Sequence, residues 1–150
     1  PTLSDFERPL NKRGLRDAPA MGQWLNQRNI YFDQIVSSPA QRAITTAQLI
    51  AQKIHFPAEN ILRQPEIYDA TVSALLKVTQ HLDNTIANIA LVGHNPGMSG
   101  LADCLCREEV GDMPTCCVVQ LKFEVENWQA IQAGSGTLLH HVTPNKIRDL

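Results

Sequence analysis

A histidine stands between a strand and a helix in the segment ALVGHNPG, positions 90–97. The apolar run 89–92 predicts a strand covered on both faces, Asn95 predicts a helix N-cap and Pro96 the first helical residue. An imidazole at that place can exchange protons near neutral pH and lies beside free backbone N–H groups that bind anions. The pattern therefore predicts His94 as a reactive side chain at the rim of a sheet.

A second turn of the same design carries an arginine. The segment FDQIVSSP, positions 32–39, predicts a short strand, the capping residue Ser38 and a proline at the first position of a helix over 40–54. Arg42 falls in the first turn, where the helix dipole disfavours a cation by about 0.3–1 kcal/mol. A bound phosphate relieves that misfit, because it accepts from both the arginine fork and the helix N–H groups. Parallel strands would bring Arg42 and His94 to one sheet edge.

The elements that must position these side chains alternate along the chain and end in a meander. The predicted order is a helix over 12–27 capped by Asn11, a strand over 34–37, a helix over 40–54, a strand near 60–63, a helix near 71–81, a strand over 89–92, a helix to about 106 and strands near 117–124, 128–133 and 136–142. This order predicts a mixed sheet flanked by helices.

Composition fits one domain. The 150 residues are 43% hydrophobic and carry a net charge of -2, which gives no general attraction to nucleic acid or to an acidic membrane. No apolar run has the length of a membrane span, and no signal peptide is visible. We therefore expect a cytoplasmic protein with no nucleic-acid or membrane partner.

The cysteines and the C-terminal histidines do not form a metal pattern. The spacings of Cys104, Cys106, Cys116 and Cys117 fit neither a zinc ribbon nor a redox CxxC pair, so free thiols are predicted. The adjacent residues 140 and 141, both histidine, would point to opposite faces of a strand. We assign no metal and no cofactor.

Three motifs together carry a resemblance to a known family. They are ERPLNKRG at 7–14, SSPAQRA at 37–43 with TTA at 45–47, and LVGHNPG at 91–97. In this order and spacing the chain resembles the histidine phosphatase superfamily, and within it the small phosphohistidine phosphatases of the SixA type. The resemblance implies a single domain over 1–150 with a three-layer α/β/α sandwich, a mixed and mostly parallel sheet, like the phosphoglycerate mutases, and no cofactor.

One family motif is missing from the sequence. The family begins with a strand that ends in Arg-His-Gly or Arg-His-Ala, whose histidine is the nucleophile, and residues 1–5 resemble the loop that follows it. We expect about fifteen further residues, one strand and a short loop, upstream of Pro1. On this interpretation the 150 residues alone are inactive and the full-length protein is the enzyme.

The resemblance assigns roles around a transferring phosphoryl group, whose negative charge must be offset. Arg42 binds two of its oxygens, His94 donates a hydrogen bond and, when protonated, adds positive charge, and Arg8 approaches from the opposite side. Asn95 and Ser38 cap the two turns and orient the site. The alternatives are an Arg42 paired with a surface carboxylate, a structural His94 and an Arg8 that anchors the first helix.

Glu66, in QPEIYDA at 64–70, resembles the general acid of related phosphatases and mutases. A general acid serves poor leaving groups such as alkoxides, whereas phosphohistidine leaves easily. Glu66 is therefore either that acid or a plain surface carboxylate.

These residues predict a phosphatase that hydrolyses phosphohistidine on a protein, through a phosphohistidine enzyme intermediate. The expected partner is a phosphorylated protein, such as a histidine-phosphotransfer domain. The alternatives are a phosphatase of small phosphomonoesters and a module that binds phosphate or a phosphoprotein without turnover.

Overall fold

The protein is described by a computed structural model, which covers residues 3–148. The helices and strands, in chain order, are α1 (Lys12–Gln27), β1 (Gln34–Ser37), α2 (Gln41–Lys53), β2 (Leu62–Arg63), α3 (Val72–Gln80), β3 (Ile89–Val92), α4 (Gly97–Leu105), β4 (Val118–Lys122), β5 (Thr137–Val142) and α5 (Pro144–Arg148). Single turns of 3₁₀-helix lie at Ala58–Asn60, Pro65–Ile67 and Trp128–Ala130.

The strands form two sheets. In the first, β1 lies between β2 and β3, and all three run parallel. In the second, β4 and β5 pair antiparallel, with a register shift between Gln120 and Leu121. Within residues 3–148, β3 and β4 each have a strand neighbour on one side only.

A cleft of about 510 Å³ separates the two sheets. It is lined by the whole of β3 and by Val118, Val119, Gln120 and Leu121 of β4. The cleft therefore runs along the two strand edges that carry no neighbour in the described chain. For the same reason every residue of β3 is only half-buried, whereas the sequence predicts a strand covered on both faces.

Adjacent side chains of β1 enter opposite helical layers. Ile35 packs with Ala47 of α2, while Val36 packs with Leu75 of α3 and Leu101 of α4. This alternation is the period of an extended strand buried on both faces. It makes a sandwich with α1 and α2 on one side of the parallel sheet and α3 and α4 on the other, and confirms the predicted fold class.

The outer layer depends on close packing of α1 against α2. Asn11 starts α1, since its side chain accepts from the backbone N–H of Gly14 at 2.9 Å. A Cβ on Gly22 would lie 3.1 Å from Cα of Ile50, so glycine lets the two helices approach. The apolar core of this layer consists of Ala18, Met21, Trp24, Leu25, Ile50 and Ile54.

The predicted bounds of α1, β1 and β3 are confirmed, but both helix starts at the sheet edge are shifted. α2 begins at Gln41 after the N-cap Ala40, so Ser38 is not the N-cap and the following proline is not the first helical residue. Ser38 still accepts from the N–H of Ala40, at 3.2 Å. α4 likewise begins at Gly97, with Pro96 in the N-cap position.

The strand predicted over 128–133 is wrong. Trp128–Ala130 forms a turn of 3₁₀-helix, which Asn127 caps by accepting from the N–H of Ala130 at 3.0 Å. The indole N–H of Trp128 donates to the carbonyls of Asp83 and Ile86 at 3.0 and 2.9 Å. A local cap and a distant partner for the indole thus override an apolar pattern typical of a strand.

Candidate active site

The β1–α2 and β3–α4 turns meet at the carboxyl edge of the parallel sheet. Ser37 and Val92 are register partners at the ends of their strands. The N–H of Ser38 donates to the carbonyl of Val92 at 2.9 Å, and Nε2 of His94 lies 2.7 Å from Oγ of Ser38. These bonds join the two turns, so the structure brings Arg42 and His94 to one edge.

A pocket of about 240 Å³ lies at this edge. Arg42 and His94 line it from the two turns, and the remaining lining residues are Asp5, Tyr68, Asp69, Ala70, Asn95, Pro96 and Gly97. The pocket is lined mainly by polar groups, in contrast to the apolar cleft beside it.

Arg42 is held by the N-terminal loop. Its side chain is 30% exposed. Nη1 donates to the main-chain carbonyl of Asp5 at 2.8 Å, and Nη2 donates to Oδ2 of the same residue at 3.2 Å. The first turn of α2 carries no acidic residue of its own. Arg42 thus pairs with a surface carboxylate, which is the structural alternative, and it also lines the pocket.

His94 is half-buried, and burial lowers its pKa. The positive charge of Arg42 lowers the pKa of His94 further, while Asp5 and Asp69 act in the opposite direction. Because Oγ of Ser38 already accepts from the N–H of Ala40, its own hydrogen is available to donate to Nε2 of a neutral imidazole. These surroundings therefore favour neutral His94, and a bound anion would favour the charged form.

Two functional candidates, Asp5 and Tyr68, were not predicted from the sequence. The Tyr68 hydroxyl donates to Oδ2 of Asp5 at 2.6 Å. This hydrogen bond lowers the pKa of Asp5, which Arg42 lowers further, and it raises the pKa of Tyr68. The Tyr68 ring stands edge-on to that of His94, with centroids 5.6 Å apart at 89°. Asp5 and Tyr68 are 63 positions apart in the chain, and no local pattern links them.

The other predicted site residues are less central. Asn95 lines the pocket, but it is not the predicted N-cap, because Pro96 occupies that position. Its Oδ1 accepts from the N–H of Ser99, in the first turn of α4, at 3.0 Å. Arg8 is exposed and, in the described chain, does not line the pocket, although its charge contributes to the lowered pKa of Asp5. Glu66 is exposed in a 3₁₀ turn and is also outside the lining, where Tyr68 stands instead.

No metal cluster is found in the described chain, since no three His, Cys, Asp or Glu side chains between residues 3 and 148 could hold an ion. All four cysteines are free. Burial raises the pKa of Cys116 and Cys117 to about 11, so both are protonated at neutral pH and poor nucleophiles. Across 3–148, every helix is too short or too polar to serve as a membrane span.

Comparison with known proteins gives both sequence and fold relatives. Residues 4–67 match the model of the histidine phosphatase superfamily, branch 1. The chain is 26% identical over 152 residues to the uncharacterized protein Rv1276c of Mycobacterium tuberculosis, covering 95% of this chain and 92% of that one. It is 30% identical over 145 residues to the uncharacterized chloroplastic protein At3g52155 of Arabidopsis thaliana, covering 90% of this chain and 65% of the plant protein.

Solved structures share the fold over nearly the whole chain. The protein histidine phosphatase SixA complexed with tungstate matches with a TM-score of 0.82 and 22% identity, covering 98% of this chain and 91% of that one. The putative phosphohistidine phosphatase SixA of Agrobacterium tumefaciens matches with a TM-score of 0.80 and 23% identity, covering 96% and 88%. Residues 4–67 therefore resemble branch 1 of the histidine phosphatase superfamily, and the chain has the fold of the SixA structures over nearly its whole length.

Proposed function

We propose that the protein is a phosphatase that hydrolyses phosphohistidine on a protein, through a phosphohistidine enzyme intermediate. The observation that carries this proposal is the meeting of Arg42 and His94 at one pocket on the carboxyl edge of a parallel sheet. Ligands of open α/β sheets bind at that edge. The family match and the fold relatives support the assignment.

The pocket can supply what phosphoryl transfer needs. A loose transition state spreads negative charge over three oxygens, and fixed donors aimed at those oxygens lower its energy. Arg42 offers a two-pronged donor, and His94 becomes a charged donor once an anion raises its pKa. In the proposed reaction a histidine nitrogen attacks phosphorus as the P–N bond of the substrate breaks. Water then cleaves the new P–N bond and releases phosphate.

The nucleophile is proposed to lie on a strand that occupies the cleft between β3 and β4. Both edges that line the cleft offer backbone N–H and C=O groups for pairing. A strand parallel to β3 would end at the carboxyl edge, beside His94. Asp5 contacts Arg42 at that same edge, so a strand joined by a short loop to the segment that contains Asp5 would deliver its last residues to the pocket.

A protein substrate is favoured by the rim of the pocket. Phe6 packs edge-on to Tyr68, with centroids 5.1 Å apart, and remains 41% exposed. The Asp5 side chain beside it is 59% exposed. An open rim with an exposed aromatic ring suits docking of a phosphorylated protein surface, and phosphohistidine does not need Glu66 as a general acid.

The test is phosphate release by the protein that carries the proposed upstream strand. The substrates are a phosphohistidine-bearing protein domain and an aryl phosphate, and the variants are Arg42→Ala and His94→Ala. Removing one fixed donor to a transition-state oxygen lowers turnover by about 10²–10³-fold. The matched controls Arg107→Ala and His81→Ala change exposed residues remote from the pocket lining and should keep wild-type rates.

Three outcomes separate the candidates. Fast release from the phosphohistidine domain that both pocket variants lose supports the proposal. Turnover of the aryl phosphate alone would replace it with a phosphatase of small phosphomonoesters. Phosphate binding without turnover of either substrate would leave a recognition module.

A further inference from the structure

One oxygen in the pocket accepts hydrogen bonds from two different side chains. Oδ2 of Asp5 lies 2.6 Å from the Tyr68 hydroxyl and 3.2 Å from Nη2 of Arg42. The two donors come from separate elements, the loop after β2 and the first turn of α2. They converge on a single anionic oxygen, which is how protein donors bind an oxygen of a phosphoryl group.

The Tyr68 hydroxyl is held in place by its surroundings. Its backbone N–H closes a turn to the carbonyl of Pro65 at 3.0 Å, and the preceding Ile67 is 1% exposed. Its ring contacts those of Phe6 and His94, both edge-on. The Tyr68 ring is therefore positioned by contacts other than its hydrogen bond to Asp5.

Asp5 is held less firmly than the donors it bridges. Its side chain is 59% exposed, and exposed ion pairs contribute little net stability. It offers one negative charge, whereas a phosphate at neutral pH carries between one and two charges and more oxygens. A phosphoryl oxygen can therefore replace Oδ2 between the same two donors.

We propose that Tyr68 is a phosphate-binding residue and that the Asp5 carboxylate is an internal anion that the phosphoryl group displaces from Tyr68 and Arg42. The inference rests on the proposed function in one respect, that the pocket binds phosphate. It adds a third donor to Arg42 and His94 and makes the N-terminal loop a competitor of the substrate.

The test is the dissociation constant for inorganic phosphate at fixed pH, by calorimetry, with the preparation used for the turnover assay. Removing the competitor in Asp5→Ala should tighten phosphate binding by about 3-fold or more, because the bonds that wild type gives up contribute little but measurably. Tyr68→Phe in the Asp5→Ala background should weaken binding by about 10-fold, the loss expected for a hydrogen bond to a charged oxygen. In the wild-type background Tyr68→Phe should weaken phosphate binding by a smaller factor, since it also weakens the binding of the competing Asp5 carboxylate.

A second pocket carboxylate gives the matched control. Asp69 lines the pocket but makes no hydrogen bond to Arg42 or Tyr68 in the described chain, so Asp69→Asn reports the general effect of removing one negative charge. Asp5→Asn should exceed that effect. The thermal midpoint of each variant checks that the fold is retained.

The outcomes distinguish this inference from the function on which it rests. Phosphate binding that Arg42→Ala abolishes, but that Asp5→Ala leaves unchanged or weakens, would overturn the inference alone and make Asp5 a positioning residue for Arg42. Absence of phosphate binding in every variant would overturn both.

Discussion

The two-pronged geometry of Arg42 makes Arg42→Lys the most informative single change. Nη1 and Nη2 now donate to two oxygens of Asp5, at 2.8 and 3.2 Å. Lysine keeps the positive charge but cannot present two parallel N–H groups to two oxygens. The change therefore distinguishes the contribution of the two-pronged hydrogen bonding from that of the positive charge.

The expected loss follows from one hydrogen bond. A hydrogen bond to a charged group contributes about 1.5–3 kcal/mol. Because the Arg42 side chain is 30% exposed, solvent screening moves the expected cost to the lower end of that range, about 1.5 kcal/mol. That free energy corresponds to a loss of about 10-fold in phosphate affinity and in kcat/KM. Arg42→Ala, which also removes the charge, should cost about 10²–10³-fold.

The assay compares kcat/KM for the phosphohistidine domain among wild type, Arg42→Lys and Arg42→Ala, with Arg107→Lys as the matched control. The free energies of unfolding in urea should be nearly equal for wild type and the Arg42 variants, because the contact between Arg42 and Asp5 is an exposed ion pair. Equal losses in the lysine and alanine variants would mean that charge contributes nothing. Full activity of the lysine variant would refute the two-pronged contact with phosphate.

Three further predictions concern the frame of the site. Burial and Arg42 lower the pKa of His94 below its ordinary value of 6.5, so the unfolded chain binds the proton more readily than the folded chain. The contribution of His94 to stability is therefore present above that ordinary value and is lost as the pH falls below it. The urea midpoint of His94→Gln should depend less on pH in this range, and an unchanged dependence would contradict the prediction. The Asp17 side chain is 4% exposed and accepts from Arg148 at 2.7 Å and from Arg16 at 3.0 Å. Asp17→Ala should therefore lower the free energy of unfolding by about 1–2 kcal/mol after discounting for the exposed arginines. A loss no larger than that of the exposed-site variant Glu7→Ala would show that these ion pairs add no stability. A Cβ on Gly97 would lie 2.6 Å from the carbonyl oxygen of Ala70, so Gly97→Ala should lower the free energy of unfolding by about 1–3 kcal/mol. An unchanged midpoint of thermal unfolding would mean that the backbone at Ala70 can move to admit the methyl group.

Local sequence signals predicted the frame of the site well. Asn11 and the helical spacing gave α1 its observed bounds, and the short apolar runs gave β1 and β3 theirs. Parallel pairing of those strands then brings their following turns together, so Arg42 and His94 could be expected at one pocket. These features depend on neighbours in sequence and on strand periodicity.

Contacts between distant segments were beyond such signals. Asp5 meets Tyr68 only because the N-terminal loop crosses the edge of the folded sheet. Trp128 does not form the predicted strand, and its indole N–H donates to carbonyls 42 and 45 positions away. Both side chains satisfy polar groups through tertiary contacts, which no spacing along the chain encodes.

Hydrolysis through a phosphohistidine enzyme is tested most directly by following radiolabelled phosphate from a phosphohistidine protein domain onto the protein that carries the proposed upstream strand. We expect brief mixing to leave label on the enzyme, labile in acid and stable in alkali, as phosphate on a histidine nitrogen should be. Arg42→Ala should leave the enzyme unlabelled and the substrate intact. Release of labelled phosphate at full rate from an enzyme that never becomes labelled would contradict the account.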